Sequence, residues 1–311
     1  MFRRVRTTRL YGLRRGIWRV RRSVPRVARP LSLVLRGVGP PENPVFVIGC
    51  PRSGTTLLLD ALRASGQLAA VQSEGHVLWD EFHHPRDDGW SSDAVGPDEI
   101  AHGEREYLYL AARLFARGGR FVDKTPANCL RVDYLEALFP DATFVFLRRR
   151  GADNVSSLMD GWRARPRFVR YRIPDPLTGL GNLDGSRWSF VLIPGWRDLR
   201  EAQLEDVCAR QYVECNRAVL DARATSSALW VDMTYEELVS APVDELRRVY
   251  TALDLTFGDA AERFARALSS RHTATAVSTP RAEKWRERNE QAIERIRPQL
   301  AETERRLGYA T

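Results

Sequence analysis

Apolar residues come in short β-branched and aromatic runs separated by stretches with helical spacing. Val45–Ile48, Arg120–Val122, Thr143–Leu147 and Leu229–Val231 read as strands, because each is a brief apolar run bounded by turn residues. Between them, Thr55–Ser65, Glu104–Ala116, Leu130–Leu138, Ala152–Trp162 and Leu199–Arg223 read as helices, and the C-terminal remainder is helical, interrupted at Thr279-Pro280 before Lys284-Trp285. Gly66, Gly118-Gly119 and Phe139-Pro140-Asp141 supply stops. Such alternation predicts an α/β fold in three layers, α/β/α, with a central mostly parallel sheet covered on both sides. Ligands on sheets of this kind bind beyond the carboxyl ends of the strands.

Two stretches break the pattern. Residues 75–103 mix Trp79, Phe82, His83, His84, Gly89 and Trp90, and residues 163–197 lapse into aromatic, proline and glycine positions, so both read as insertions covering a substrate. Pro40-Pro41-Glu42-Asn43-Pro44 divides a domain over 42–311 from an N-terminal arm over 1–41.

The arm carries twelve arginines and no acid, out of a net charge of +8, which leaves the other 270 residues slightly acidic. Leu10, Tyr11, Leu13, Ile17, Trp18 and Val20 among those arginines suit either an amphipathic helix on an anionic membrane surface or a solvated arm. The arm has no continuous apolar core, so it reads as neither a signal peptide nor a transmembrane span. A slightly acidic folded part argues against nucleic acid. Four cysteines without a C-x-x-C pair point to a reduced, cytoplasmic protein, or one peripheral to the inner face of a membrane. Cys50 is expected to be a buried filler.

The candidate chemistry begins directly after the first strand. Gly49-Cys-Pro-Arg-Ser-Gly-Thr-Thr56 has the glycine spacing of a phosphate-binding loop, in which backbone N–H groups and a helix N-terminus cradle an anion. The lysine position of the nucleoside-triphosphate version is Thr55, and the one cation in the loop is Arg52. This P-R-S-G-T-T loop resembles the 5′-phosphosulfate loop of the sulfotransferases, which use 3′-phosphoadenosine-5′-phosphosulfate (PAPS) and release 3′-phosphoadenosine-5′-phosphate (PAP). A P-loop-like fold is what the resemblance implies, with Arg52, Ser53, Gly54, Thr55 and Thr56 holding the cofactor.

Further pieces follow in the family's order. Glu74 stands where related protein-tyrosine and glycolipid sulfotransferases place a catalytic glutamate, which would act as general base toward an acceptor hydroxyl, with His76 in reserve. Phe121-Val-Asp-Lys-Thr-Pro126 is similar to the family's K-x-P segment, whose lysine, here Lys124, meets the transferring sulfonate beside Arg52. Read without the resemblance, it is a capping turn with a solvated lysine. Arg148-Arg-Arg-Gly-Ala-Asp-Asn-Val-Ser-Ser157 resembles the 3′-phosphate motif. Its alignment favours Arg149 with Ser157 over Arg148 with Ser156, although Arg150 and Ala152 depart from the family's usual Asp and Arg. Tyr235 in Y-E-x-L and Lys284 in the C-terminal segment match positions that line or close the nucleotide pocket.

The resemblance implies sulfuryl transfer to a small-molecule, lipid or carbohydrate acceptor, a phenol or a peptide, with no metal. Arg163, Arg165, Arg167, Arg170 and Arg172 suit an acidic acceptor or a solvated loop equally. A kinase with a degenerate loop and a non-catalytic anion-binding protein at a membrane surface are the rival readings. The first lacks the lysine, and the second leaves Glu74 without a purpose.

Overall fold

The computed structural model describes residues 39–71, 74–116, 118–164, 166–268 and 285–309. Nearly all of the N-terminal arm, Arg165, the Thr279-Pro280 break and Lys284 lie outside the described residues. The core is a five-stranded parallel sheet formed by β1 (Val45–Ile48), β2 (Leu68–Ala69), β3 (Arg120–Asp123), β4 (Thr143–Arg148) and β7 (Leu229–Thr234) in the order β2-β3-β1-β4-β7. A separate antiparallel pair, β5 (Val169–Arg172) and β6 (Arg187–Ser189), sits in the second insertion. The expected α/β class and parallel sheet are both present.

Period-two alternation sorts the strand side chains onto two faces. Phe46, Ile48, Phe121, Phe144 and Phe146 face one way, while Val45, Val47, Val122, Val145, Leu147 and Val231 face the other. The aliphatic face is covered by α1 (Thr55–Arg63) and, later in the chain, by α8 (Pro242–Ala252) and α9 (Asp259–Arg266). Tyr250 of α8 donates its hydroxyl to the Ala61 and Leu62 carbonyls, which closes the end of α1. Against the aromatic face lie α3 (Glu104–Ala116), α4 (Val132–Leu138), α5 (Gly151–Arg163), α6 (Leu204–Thr225) and the C-terminal α11 (Glu290–Arg306). The short α2 (His76–Trp79), α7 (Tyr235–Ser240) and α10 (Trp285–Arg288) connect these layers. No helix of the described residues is long and apolar enough to cross a membrane.

The stretches at 75–103 and 163–197 pack against each other. Asp93 is buried in the first, and it accepts hydrogen bonds from the Tyr171 hydroxyl at 2.5 Å and the Leu192 amide at 2.7 Å in the second. Its main-chain carbonyl takes Arg131 Nε at 2.6 Å. The Trp196 indole and Arg197 both donate to the Trp90 carbonyl, and Arg170 pairs with Asp80.

Several boundaries differ from the sequence reading. The long helix starts at Leu204 rather than Leu199, because the Arg200 carbonyl accepts the Thr178 amide at 2.6 Å and its hydroxyl at 3.1 Å and is therefore lost to the helix. A 3-10 turn over Pro126–Leu130 delays α4 to Val132, since Arg131 leaves helical geometry to reach Asp93. β2 and the β5–β6 pair escape pattern reading: one is two residues long, and the other is broken by a register shift between Val169 and Tyr171.

Phe46 is fully buried and touches the rings of Trp79, Phe121, Phe139 and Phe144. Phe46→Ala should cost about 3–5 kcal/mol in urea unfolding, with Phe46→Leu recovering most of the loss. A loss below about 1 kcal/mol would mean that this cluster does not anchor the sheet.

Candidate functional site

Three neighbouring strands end in the crevice where their order reverses around β1. Beyond β1 comes the 49–54 loop, beyond β3 comes Lys124, and beyond β4 come Arg149 and the start of α5. The loop turns through a Ser53 N–H to Cys50 carbonyl bond of 3.1 Å, and Gly54 opens α1 at φ 103°. A Cβ at Gly54 would lie 2.6 Å from the Tyr235 ring, so the left-handed conformation and the close approach both require glycine. Arg52 also holds a positive φ, 71°, a conformation uncommon for a residue with a side chain. Asn154 of α5 fixes the loop by donating to the Pro51 carbonyl at 3.1 Å.

Cations converge on this loop. Arg52 Nε donates to Ser157 Oγ at 3.3 Å, and its guanidinium lies 4.9 Å from the centre of the Phe168 ring. Arg149 donates to the Arg52 carbonyl at 2.9 Å and lies 4.2 Å over the Tyr235 ring. Burial, with Arg149 and Arg167 adding like charge, pushes Arg52 down to about 10. The Ser53 hydroxyl and Arg149 Nε are buried with no hydrogen-bond partner among the described residues. A buried donor without a partner is costly, and an anion in the crevice would satisfy both.

The acid lies on the opposite wall. Glu74 accepts from Lys124 Nζ at 2.8 Å, and its second oxygen is 3.2 Å from His76 Nε2. Burial alone would raise the Glu74 pKa, but Lys124 and His76 override it and hold the carboxyl well below the usual range. Beneath this pair, the buried Asp123 accepts from the Trp79 indole at 3.1 Å, Thr125 Oγ1 at 3.2 Å and Asn128 Nδ2 at 2.7 Å. The Gly75 amide donates to Thr125 Oγ1 at 2.8 Å. A Cβ on Gly75 would meet Asp123 Oδ1 at 2.2 Å, so glycine allows the turn carrying Glu74 to lie directly on β3's end. Among the described residues, no cluster of three or more His, Cys, Asp or Glu side chains is placed to hold a metal ion.

The family model for sulfotransferases matches residues 44–178, a stretch that contains the loop, Glu74, Lys124, Arg149 and Ser157. These residues belong to the sulfotransferase family. An uncharacterized protein of Aquifex aeolicus is 30% identical to the chain over 132 residues, covering 38% of this chain and 17% of that protein. The nodulation protein NoeE of Sinorhizobium fredii is 28% identical over 158 residues, covering 45% of this chain and 36% of that protein. The chain thus spans well under half the length of these curated relatives. In fold it is similar to the sulfotransferase STF9 of Mycobacterium avium, with a TM-score of 0.57 at 17% identity over 88% of this chain and 78% of that one. It is similar also to a sulfotransferase domain from the curacin biosynthetic pathway, with a TM-score of 0.51 at 14% identity over 88% of this chain and 99% of that one.

Within this sulfotransferase-family segment and the region that follows it, the structure gathers Arg52, Ser53, Gly54, Thr55, Thr56, Arg149, Ser157 and Tyr235 around the loop, with Glu74 and Lys124 across from them. The solvated-lysine reading of Asp123-Lys-Thr is overturned, because Lys124 is only 2% exposed and engaged with Glu74. Within the arginine triplet, Arg149 is the one bonded to the loop, and Ser157 is the serine that meets Arg52. Arg148 donates to the Leu307 carbonyl, and Ser156 is bonded by Asn289 at 2.8 Å, so both face away from the loop. Asn154, Asp123, Asn128 and Phe168 were not legible as site residues. Only their proximity to the motifs would have marked them.

The Glu74–Lys124 pair has a pH signature. Its folded pKa lies below the unfolded one, so its stabilisation is complete above the ordinary glutamate value, about 4.3, and is lost as pH falls toward the depressed value. The urea-unfolding gap between wild type and Glu74→Gln should therefore hold constant near neutrality and shrink steadily below about pH 4.3. A gap unchanged down to about pH 3 would show that Lys124 does not hold the carboxylate in solution.

Proposed function

We propose that this protein transfers a sulfuryl group from PAPS to an acceptor hydroxyl, on a carbohydrate, lipid, phenol or peptide. The observation that carries the reading is the meeting of an anion cradle containing Arg52 with a Glu74–Lys124 pair across the same crevice. The unpartnered Ser53 hydroxyl and Arg149 Nε fit a phosphorylated nucleotide. A triphosphate kinase would need a lysine where Thr55 stands.

The donor, when bound, supplies a sulfonate on a phosphate leaving group. The loop amides and the N-terminus of α1 suit the 5′-phosphate, and Arg149 with Ser157 suits the 3′-phosphate. Arg52 and Lys124 stabilise the charge that grows on the leaving oxygen. Glu74 accepts the acceptor's proton, and His76 orients the carboxylate through its second oxygen. A carboxylate gripped by a buried ammonium is a weak base. Lys124 shared with an incoming sulfonate holds Glu74 less tightly, and the carboxylate recovers its basicity as the site fills.

Calorimetric titration tests the assignment. PAP should bind without metal and far more tightly than AMP or ATP, and Arg149→Ala should weaken PAP at least about tenfold. Glu74→Gln should bind PAP like wild type yet lose about 10²–10⁴-fold in transfer of labelled sulfonate to a panel of phenol, sugar and fatty-alcohol acceptors. Preference for ATP with Mg²⁺, or full transfer by Glu74→Gln, would overturn the reading.

A further inference from the structure

Three consecutive arginines stand at the carboxyl end of β4, and C-terminal residues contact two of them, Arg148 and Arg150. Arg148 Nη1 donates to the Leu307 carbonyl at 2.6 Å, at the carboxyl end of α11, where a helix favours a cation. The Arg150 guanidinium lies 5.3 Å over the Tyr309 ring. Its amide donates at 3.1 Å to Glu236 Oε1, whose other oxygen accepts the Tyr309 hydroxyl at 2.9 Å. The next amide, Gly151 N–H, donates to Glu304 Oε1 at 2.7 Å. Two of the chain's own carboxylates therefore take the first exposed amides of α5, which would otherwise attract an external anion. Arg149 alone is turned inward, with its carbonyl held by the Tyr212 hydroxyl at 3.2 Å.

We infer that Glu304, Glu236 and Tyr309 form a clasp that orients Arg149, making Glu304 a positioning residue for recognition of a nucleotide's 3′-phosphate by a segment far from it in sequence. This rests on the reading above that Arg149 meets that phosphate. The clasp makes no hydrogen bond to the loop at 49–54, and Arg149 reaches that loop only through the Arg52 carbonyl at 2.9 Å, so loss of the clasp should weaken recognition of the 3′-phosphate more than that of the 5′-phosphate.

The discriminating ligands are PAP and AMP, which differ only in the 3′-phosphate, titrated against the full-length chain. Glu304→Ala should lower PAP affinity about tenfold and AMP affinity by no more than about twofold. Glu304→Gln keeps an oxygen facing the Gly151 amide and should restore most of the loss. Tyr309→Phe, which removes only the hydroxyl bond to Glu236, should weaken PAP about threefold. If wild type prefers PAP and Glu304→Ala retains that preference in full, the clasp is wrong and the cofactor reading stands. Equal loss of PAP and AMP in Glu304→Ala, or no rescue by Glu304→Gln, also overturns it. A wild type that binds PAP no better than AMP overturns the 3′-phosphate assignment itself, and the clasp's role with it.

Discussion

The parallel pairing of β1 with both of its neighbours is the constraint from which the rest follows. Ile48 lies opposite Phe146 in β4, and Phe46 lies opposite Asp123 in β3. Adjacent strands run about 4.8 Å apart, so three chain segments distant in sequence leave the sheet side by side. That register brings the anion loop, Lys124 and Arg149 into one crevice. A slip by one residue would exchange the aromatic and aliphatic faces of β1 and send the loop away from both cations.

Charge on this scaffold is concentrated rather than averaged. Arg52, Arg149 and Lys124 converge on one crevice, and both of its walls keep buried polar atoms without partners. Lys124 has Glu74 and Asp123 takes three hydrogen bonds, yet Asn128 Oδ1 beside them has no partner among the described residues; Arg149 pairs with Asp153 at 3.9 Å, yet its Nε and the Ser53 hydroxyl have none. A folded protein maintains such an imbalance at a cost in stability, which is how binding capacity is stored before a ligand arrives.

The sequence was most legible where local chemistry and fold agree. The 45–59 stretch announces strand, loop and helix through its β-branched run, its two glycines and its leucines, and the structure has all three at those residues. Legibility failed where distant contacts decide. Nothing local in Leu199–Gln203 reveals that a loop 22 residues earlier needs the Arg200 carbonyl. Nothing in Arg148-Arg-Arg150 reveals that C-terminal residues contact two of them. Glu74 was visible only through resemblance, since its partner Lys124 is fifty residues away.

Asp93 ties the two stretches together through Tyr171 and Leu192 and fastens them to Arg131 before α4, all beneath the surface. A wall built this way cannot be tuned half at a time. Exchanging residues on one stretch alters the packing of the other, so substitutions on the two sides of the Asp93 seam should be strongly non-additive, each tolerated only with a counterpart that restores the volume or polarity it shifts.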